Sequence, residues 1–369
     1  MDLSKIFLKD ACPTSVGGQA VMEGLMMKGP ERTAVAIRLP NDRIHLRTTP
    51  NRRPSRLAKL PLLRGVYSFA TAMIDGTKIL LYAANVLEAN MDDEGETEEP
   101  GRFEKWLGNK FGERAMWNIM IYFSVFIALV FSVGFFILLP TALVGWLKAF
   151  TDNRFILSLC EGLVRLVLFI GYIWLISKTK DIKTVFQYHG AEHKTIHCFE
   201  KNLPLTPENA QSFYTLHPRC GTSFLMFVMI ITILLFPLLG WPGLAMRVLS
   251  RIIVIPVIAG LSFELLKWAG RSDSVIVKIL SMPGLYLQKL TTKEPTLKQL
   301  EVAIVAMEAV LVPPETPMFE GVYDREMDDR EIDSQEIYNR EMDNREIDSK
   351  EIYNREIDNQ EIDNRERTL

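Results

Sequence analysis

Cysteine and histidine are scarce, with 4 Cys and 5 His among 369 residues. Cys12, Cys160, Cys198 and Cys220 contain no C-x-x-C pair, which argues against a disulfide framework or a zinc ribbon. Neither G-x-G-x-x-G nor G-K-[ST] occurs, so no dinucleotide or P-loop phosphate site is indicated. The opening MDLSKIFLKDACPTS lacks a continuous apolar core. No cleavable signal peptide is therefore expected, and the first membrane span serves as its own targeting signal. Net charge is nearly absent too, at −3, but this hides two unlike parts. Residues 324–369 carry 17 acidic and 8 basic side chains, a net of −9, which leaves +6 on the preceding 323 residues. Charge of either sign is missing over the 33 residues Ala115–Leu147. An uncharged run longer than about 18 residues reads as a membrane span, which excludes an ordinary soluble enzyme.

Four spans are expected: Met116–Leu139, ended by Pro140; Phe155–Ile176, interrupted by Glu161 and Arg165; Ser223–Trp241; and Ile252–Trp268, carrying Glu264 and Lys267. The full uncharged run as one helix would be about 50 Å long against a hydrocarbon core of about 30 Å. Thr141–Phe150, with Trp146 and Phe150, is therefore assigned to the interface. Lys and Arg collect at 51–64, 177–221 and 271–298, while the short connections hold only Lys148 with Arg154 and Arg247 with Arg251. The positive-inside rule then places both termini and the central segment in the cytosol.

Outside the spans, Thr33–Arg38 and Arg43–Thr49 flank Pro40-Asn41-Asp42 and read as a β-hairpin. Apolar residues recur at helical spacing from Lys59 to Leu87, but Asp75 and Lys78 interrupt them, so this helix is amphipathic rather than spanning. It either lies on anionic lipid or packs on the protein's own bundle. Glu88–Glu104, with eight acidic residues against one basic, is a solvated linker. The tail repeats every five residues (DREMD, DREID, SQEIY, NREMD). That period gives no single apolar helical stripe, and one apolar residue in five points to disorder.

The expected fold is mainly α: a polytopic membrane protein with about four transmembrane helices, an N-terminal hairpin and amphipathic helix, and a disordered tail. The segments are 1–58 (Gly-rich loop and hairpin), 59–114 (amphipathic helix and linker), 115–176 (two spans), 177–222 (His/Cys-rich), 223–269 (two spans), 270–323 (cytosolic) and 324–369 (tail).

Four of the five histidines, His189, His193, His197 and His217, fall within 29 residues, together with Cys198 and Cys220. His189 and His193 are four apart, so on a helix they share a face and a metal at about 2.1 Å from each nitrogen fits between them. His193 and His197 form an equivalent pair, but His189 and His197 are separated by about 12 Å of helix rise, too far for one ion. HGAEH matches H-x-x-E-H, in which two His bind zinc and the Glu, here Glu192, acts on bound water. His217-Pro-Arg-Cys220 adds two donors on a turn. Such N and S donors suit zinc, in a catalytic or a structural site, and simple structural histidines are the bland alternative.

Glu264 and Glu23 are additional candidates. A carboxylate in a span faces a partner or cavity, so Glu264 is a ligand, a proton carrier or the partner of Lys267. Glu23 lies in GGQAVMEGLMMKGP, either a substrate-facing loop or a tight structural turn. Glu161 and Arg165, four apart, neutralise one another in the bundle.

The strings GGQAVMEGLMMKGP, AVAIR, LPLLRGV, FQYHGAEHKTIHCFE, LHPRCGTSFL and PGLYLQKLTTKEPTLKQLEVAI resemble the DUF1385 (YqhQ-like) family of bacterial membrane proteins over roughly Cys12 to Pro313. The resemblance implies a multi-pass protein of the bacterial inner membrane and carries a general label of metal-dependent enzyme. It maps His189, Glu192, His193, His197, His217 and Cys220 to motif positions without assigning catalysis, and the repeat tail departs from the pattern. The leading expectation is a cytosol-facing zinc site of His189, His193 and His217 or Cys220, with Glu192 as general base of a hydrolase. The competitors are a non-enzymatic scaffold or assembly factor, and a small transporter using Glu161, Arg165 and Glu264. The expected partners are the lipid bilayer and a second copy of the chain, with no nucleic acid.

Overall fold

The computed structural model describes residues 6–323 apart from 9–10, 13, 53–59, 61, 91–112, 241–242 and 270–273. The acidic linker and the repeat tail thus lie almost wholly outside the described residues. The elements in chain order are β1 (Gly17–Val21), β2 (Gly24–Lys28), β3 (Arg32–Arg38), β4 (Ile44–Pro50), α1 (Leu63–Ala89), α2 (Glu113–Val133), α3 (Leu139–Gly145) and α4 (Arg154–Ile176). There follow α5 (Lys180–Glu200), α6 (Pro207–Gln211), α7 (Gly221–Leu235), α8 (Leu244–Ala269), α9 (Val275–Thr291), α10 (Leu297–Leu311) and β5 (Glu320–Tyr323). They divide between two units. One comprises Met1–Arg52, Gln187–Thr215 and Glu294–Leu369, the other Arg53–Phe186 and Leu216–Lys293.

The first unit is built on an antiparallel sheet in sequence order, β1-β2-β3-β4-β5. The expected hairpin is present as β3 and β4, with Ile37 opposite His45. Its turn places Asp42 at φ 66, held by Arg38 Nη1, which donates to the Asp42 carbonyl at 2.8 Å. The Gly-rich segment expected as a loop or turn is instead a second hairpin, β1 with β2, in register Val21 to Gly24. Its two-residue turn, Met22-Glu23, places Glu23 at φ 48, in the left-handed region that non-glycine residues seldom adopt. Glycine at 24 answers to packing: a Cβ there would stand 2.2 Å from the Ala36 carbonyl oxygen. Polar and small residues on β1 hid the period-two pattern by which strands are recognised.

α5 and α10 supply the helical side of this core, in which Leu25, Met27, Ala34 and Leu46 of the strands are buried with Tyr188, Ile196, Leu300, Ile304 and Met307. Each such large side chain contributes about 1.5–3 kcal/mol on burial. α10 begins in a reciprocal cap, the Thr296 hydroxyl accepting from Gln299 N–H while the Gln299 side chain accepts from Thr296 N–H. Beyond α10, Arg32, 1% exposed, donates from Nη2 to the carbonyls of Pro313 (2.8 Å), Pro314 (3.1 Å) and Thr316 (3.0 Å). That guides the chain into β5, an element without a sequence signal of its own.

The second unit is helical. Four helices are long and apolar enough to cross a membrane: Phe123–Ala149, Arg154–Ile176, Gly221–Leu239 and Leu249–Ala269. The first corrects the expected end at Pro140. Helical structure continues through a π-turn (Gly134–Leu138), α3 and a 3-10 turn to Ala149, with Pro140 at the start of α3. A proline cannot donate to the carbonyl four residues back, here that of Phe136. Arg165 Nε donates to that oxygen at 2.9 Å instead, so the helix passes the proline without an orphaned carbonyl.

α1 is the expected amphipathic helix, 27 residues long. Gly65 brings it against α8, where a Cβ would meet the Phe263 Cβ at 2.8 Å and the Gly260 Cα at 2.9 Å. Arg64 grips Glu264 at the same place with two donors, Nε to Oε1 at 2.6 Å and Nη2 to Oε2. Met73, Ile74 and Leu81 on α1 stay more than half exposed.

Candidate functional site

α5 carries the histidines, and every residue from Gly190 to Glu200 is buried. Burying Glu192, Lys194 and Glu200 in such a helix is costly unless each finds a partner. Gly18 N–H donates to Glu192 Oε1 at 2.9 Å, and Thr14 N–H donates to Glu200 Oε1 at 2.8 Å. Lys194 Nζ donates to the Gln211 carbonyl at 2.7 Å and pairs with Glu294. The carboxylates thus fasten the segment leading into β1 along the helix. Gly18 is required there, since a Cβ would stand 2.4 Å from the Met26 oxygen and 2.9 Å from Glu192 Cδ.

The His189 and His193 rings lie 4.5 Å apart at 63°, as expected for positions one helical turn apart. His193 is fixed further by Nδ1, 2.6 Å from the Thr215 carbonyl oxygen. A carbonyl can only accept, so Nδ1 carries the proton and Nε2 is the basic nitrogen. This is the arrangement found in metal-ligating histidines, whose second nitrogen donates to a carbonyl or carboxylate. His197 stacks on Phe213, with centroids 6.2 Å apart at 20°. Cys198 is packed in the core, and burial pushes its thiol up to about 12. Glu23 sits at the β1–β2 turn beside Tyr188, whose phenol is pushed up by burial and then by the Glu23 charge.

His217 and Cys220 belong to the helical unit, on the turn that precedes α7, and Cys220 N–H donates to the His217 carbonyl at 3.4 Å. Gln288, fully buried on α9, clamps the backbone there. Its Oε1 accepts from His217 N–H at 2.8 Å, and its Nε2 donates to the His217 carbonyl at 2.9 Å and to Ser223 Oγ at 3.4 Å. Arg219 N–H donates to His217 Nδ1 at 3.3 Å, which places the imidazole proton on Nε2. Cys220 is the N-cap of α7, with its sulfur accepting from Thr222 N–H at 3.4 Å.

The candidates are therefore distributed. His189, Glu192, His193 and His197 share α5 with Glu23 nearby; His217 and Cys220 share a turn that starts two residues beyond Thr215; Glu264 is engaged by Arg64. No sequence signal marks Thr215 or Gln288, because one acts through its backbone carbonyl and the other is a glutamine on an apolar helix.

Four apolar helices and a sheet unit carrying a buried His193 beside a half-buried His189 define a multi-pass membrane protein. The family described as protein of unknown function (DUF1385) matches residues 60–312, and the chain belongs to it. A relative in Bacillus subtilis (strain 168), the uncharacterized protein YqhQ, is 37% identical over 309 residues, which cover 82% of this chain and 94% of that protein. No solved structure matches.

Proposed function

We propose that this is a bacterial cell-membrane protein that holds a divalent metal, zinc by its donor chemistry, on His189 and His193. His217 and Cys220 are the donors next along the chain. The reading is carried by the hydrogen bond from His193 Nδ1 to the Thr215 carbonyl, which makes Nε2 the nitrogen available to a metal. The fit of the turn residues differs. His217 accepts at Nδ1 and so has its proton on Nε2, whereas Cys220 offers a sulfur at a helix N-terminus, which favours negative charge. A metal in this place would polarise a bound water for hydrolysis, and Glu192, with Oε1 held by Gly18, would take the proton on Oε2. Metal analysis of the detergent-purified chain should return about one zinc per protein, lost in His193→Ala and largely kept in Glu192→Gln. Wild-type protein as metal-free as His193→Ala would overturn the proposal.

Topology supports the same picture. The three segments of the sheet unit are separated by two pairs of spans, and an even number of crossings returns the chain to one side of a membrane. With the basic segments cytosolic, both termini and the site face the cytosol. A second reading, a scaffold without catalysis, is favoured by the use of Glu192 and Glu200 as fasteners for residues 14–18. In that case Glu192→Gln leaves cellular function intact.

A further inference from the structure

The helical unit contains a charged group that the proposed metal site does not use. Glu161 on α4 is 1% exposed and faces two arginines rather than the single one expected from its spacing to Arg165. Arg251, on α8, donates from Nη2 to Oε2 at 2.8 Å and from Nη1 to Oε1. Arg165 Nη2 donates to Oε1 at 3.2 Å, and Thr141 Oγ1 donates to the same oxygen at 2.9 Å. Both guanidinium groups lie over the Phe236 ring, 5.6 Å and 4.9 Å from its centroid. Arg251, counted above as a charge on a short connection, is thus part of a buried network.

One carboxylate against two guanidiniums leaves one net positive charge among apolar helices, where charge is expensive and is met by a partner. Donors are also left over. Arg165 Nη1 and Arg251 Nε make no hydrogen bond among the described residues, and the two side chains keep 11% and 10% of their surface exposed. Adjacent guanidiniums with open N–H groups suit the planar, two-point recognition of a phosphate oxyanion. The place fits as well. Glu161 is seven residues, about 10 Å, from the start of α4, and Arg251 is the third residue of the span Leu249–Ala269. Trp146 and Phe150, 81% and 89% exposed, close the preceding span just before α4, as aromatic residues do at headgroup level.

We infer that Arg165 and Arg251 form a binding site for a phosphate oxyanion, supplied by the headgroup of an anionic lipid or by inorganic phosphate. The full chain in mild detergent should retain phosphatidylglycerol over phosphatidylcholine in native mass spectrometry, and phosphatidylglycerol should raise its unfolding temperature. Inorganic phosphate that reproduces the shift and displaces the lipid identifies the free anion as the source; lipid retention unaffected by phosphate identifies the headgroup. Arg165→Gln leaves a neutral Glu161–Arg251 pair and should weaken half-saturation at least tenfold, whereas Glu161→Gln adds to the positive excess and should strengthen it. Equal retention of the two lipids with no response to phosphate overturns the inference, and so does an Arg165→Gln protein that responds as wild type. If that variant does not fold, wild-type retention decides the matter.

Discussion

Replacing Gln288 by leucine tests whether one buried amide positions the His217–Cys220 turn. The side chains are similar in size, so the loss is confined to three hydrogen bonds: His217 N–H to Oε1 (2.8 Å), Nε2 to the His217 carbonyl (2.9 Å) and Nε2 to Ser223 Oγ (3.4 Å). His217 is 4% exposed, so water cannot replace the first two. Two orphaned backbone groups at roughly 1–3 kcal/mol each cost about 2–6 kcal/mol. The new apolar surface returns about 1–2 kcal/mol, which at the middle of both ranges leaves a net loss of about 2.5 kcal/mol. Denaturant titration in mixed micelles would read this directly. A Leu variant within about 0.5 kcal/mol of wild type, the range of a neutral surface change, would refute the clamp.

Two further outcomes follow from the sheet unit. Because burial raises the Cys198 thiol to about 12, it stays protonated in the folded chain at pH 9–12, where an unfolded thiol ionises. Stability that is complete below pH 9 should therefore fall as pH rises through this window, and maleimide labelling at pH 8 should spare Cys198 until the protein is unfolded; rapid labelling of native Cys198 would contradict its burial. A chain ending at Tyr323 keeps β5 and should insert and bind metal like the full chain, whereas one ending at Phe319 loses the strand paired with Ile44–Arg47 and should unfold at a lower temperature; indistinguishable truncations would show that β5 contributes nothing.

The spans were legible because uncharged length is a one-dimensional property, and all four expected segments correspond to apolar helices. The hairpin Thr33–Thr49 was legible because alternation and Pro40-Asn41-Asp42 punctuation are local. β1 and β2 were not, since Gly18 and Gly24 are selected by close approach to Glu192 and Ala36 rather than by strand propensity. At the candidate site, the one-turn spacing of His189 and His193 was visible, but the tautomer that distinguishes His193 from His217 depends on Thr215 and Arg219 backbone groups. The pairing partners of Glu161 and Glu264 were hidden for a related reason. Spacing along a helix suggests Arg165, which does pair with Glu161, and Lys267, but Arg251 and Arg64 also reach these carboxylates from far along the chain.

These long-range dependencies imply an order of assembly. Strands β1 to β4 pair through short turns and are complete by Pro50. Nine of the 23 buried residues of their shared core come from α10, which begins at Leu297, after all four candidate spans. Before then the inner face of the sheet, including Leu25, Met27 and Leu46, has only part of its cover, and contacts this distant in sequence form slowly because the intervening chain must first be ordered. The spans order that chain. On the proposed topology each pair brings the next segment back to the same side, which shortens the effective distance between β4 and α5 and between α5 and α10. On that topology membrane insertion is part of the folding of the sheet unit, and the histidine helix, packed between segments from both ends of the sequence, completes its environment with α10.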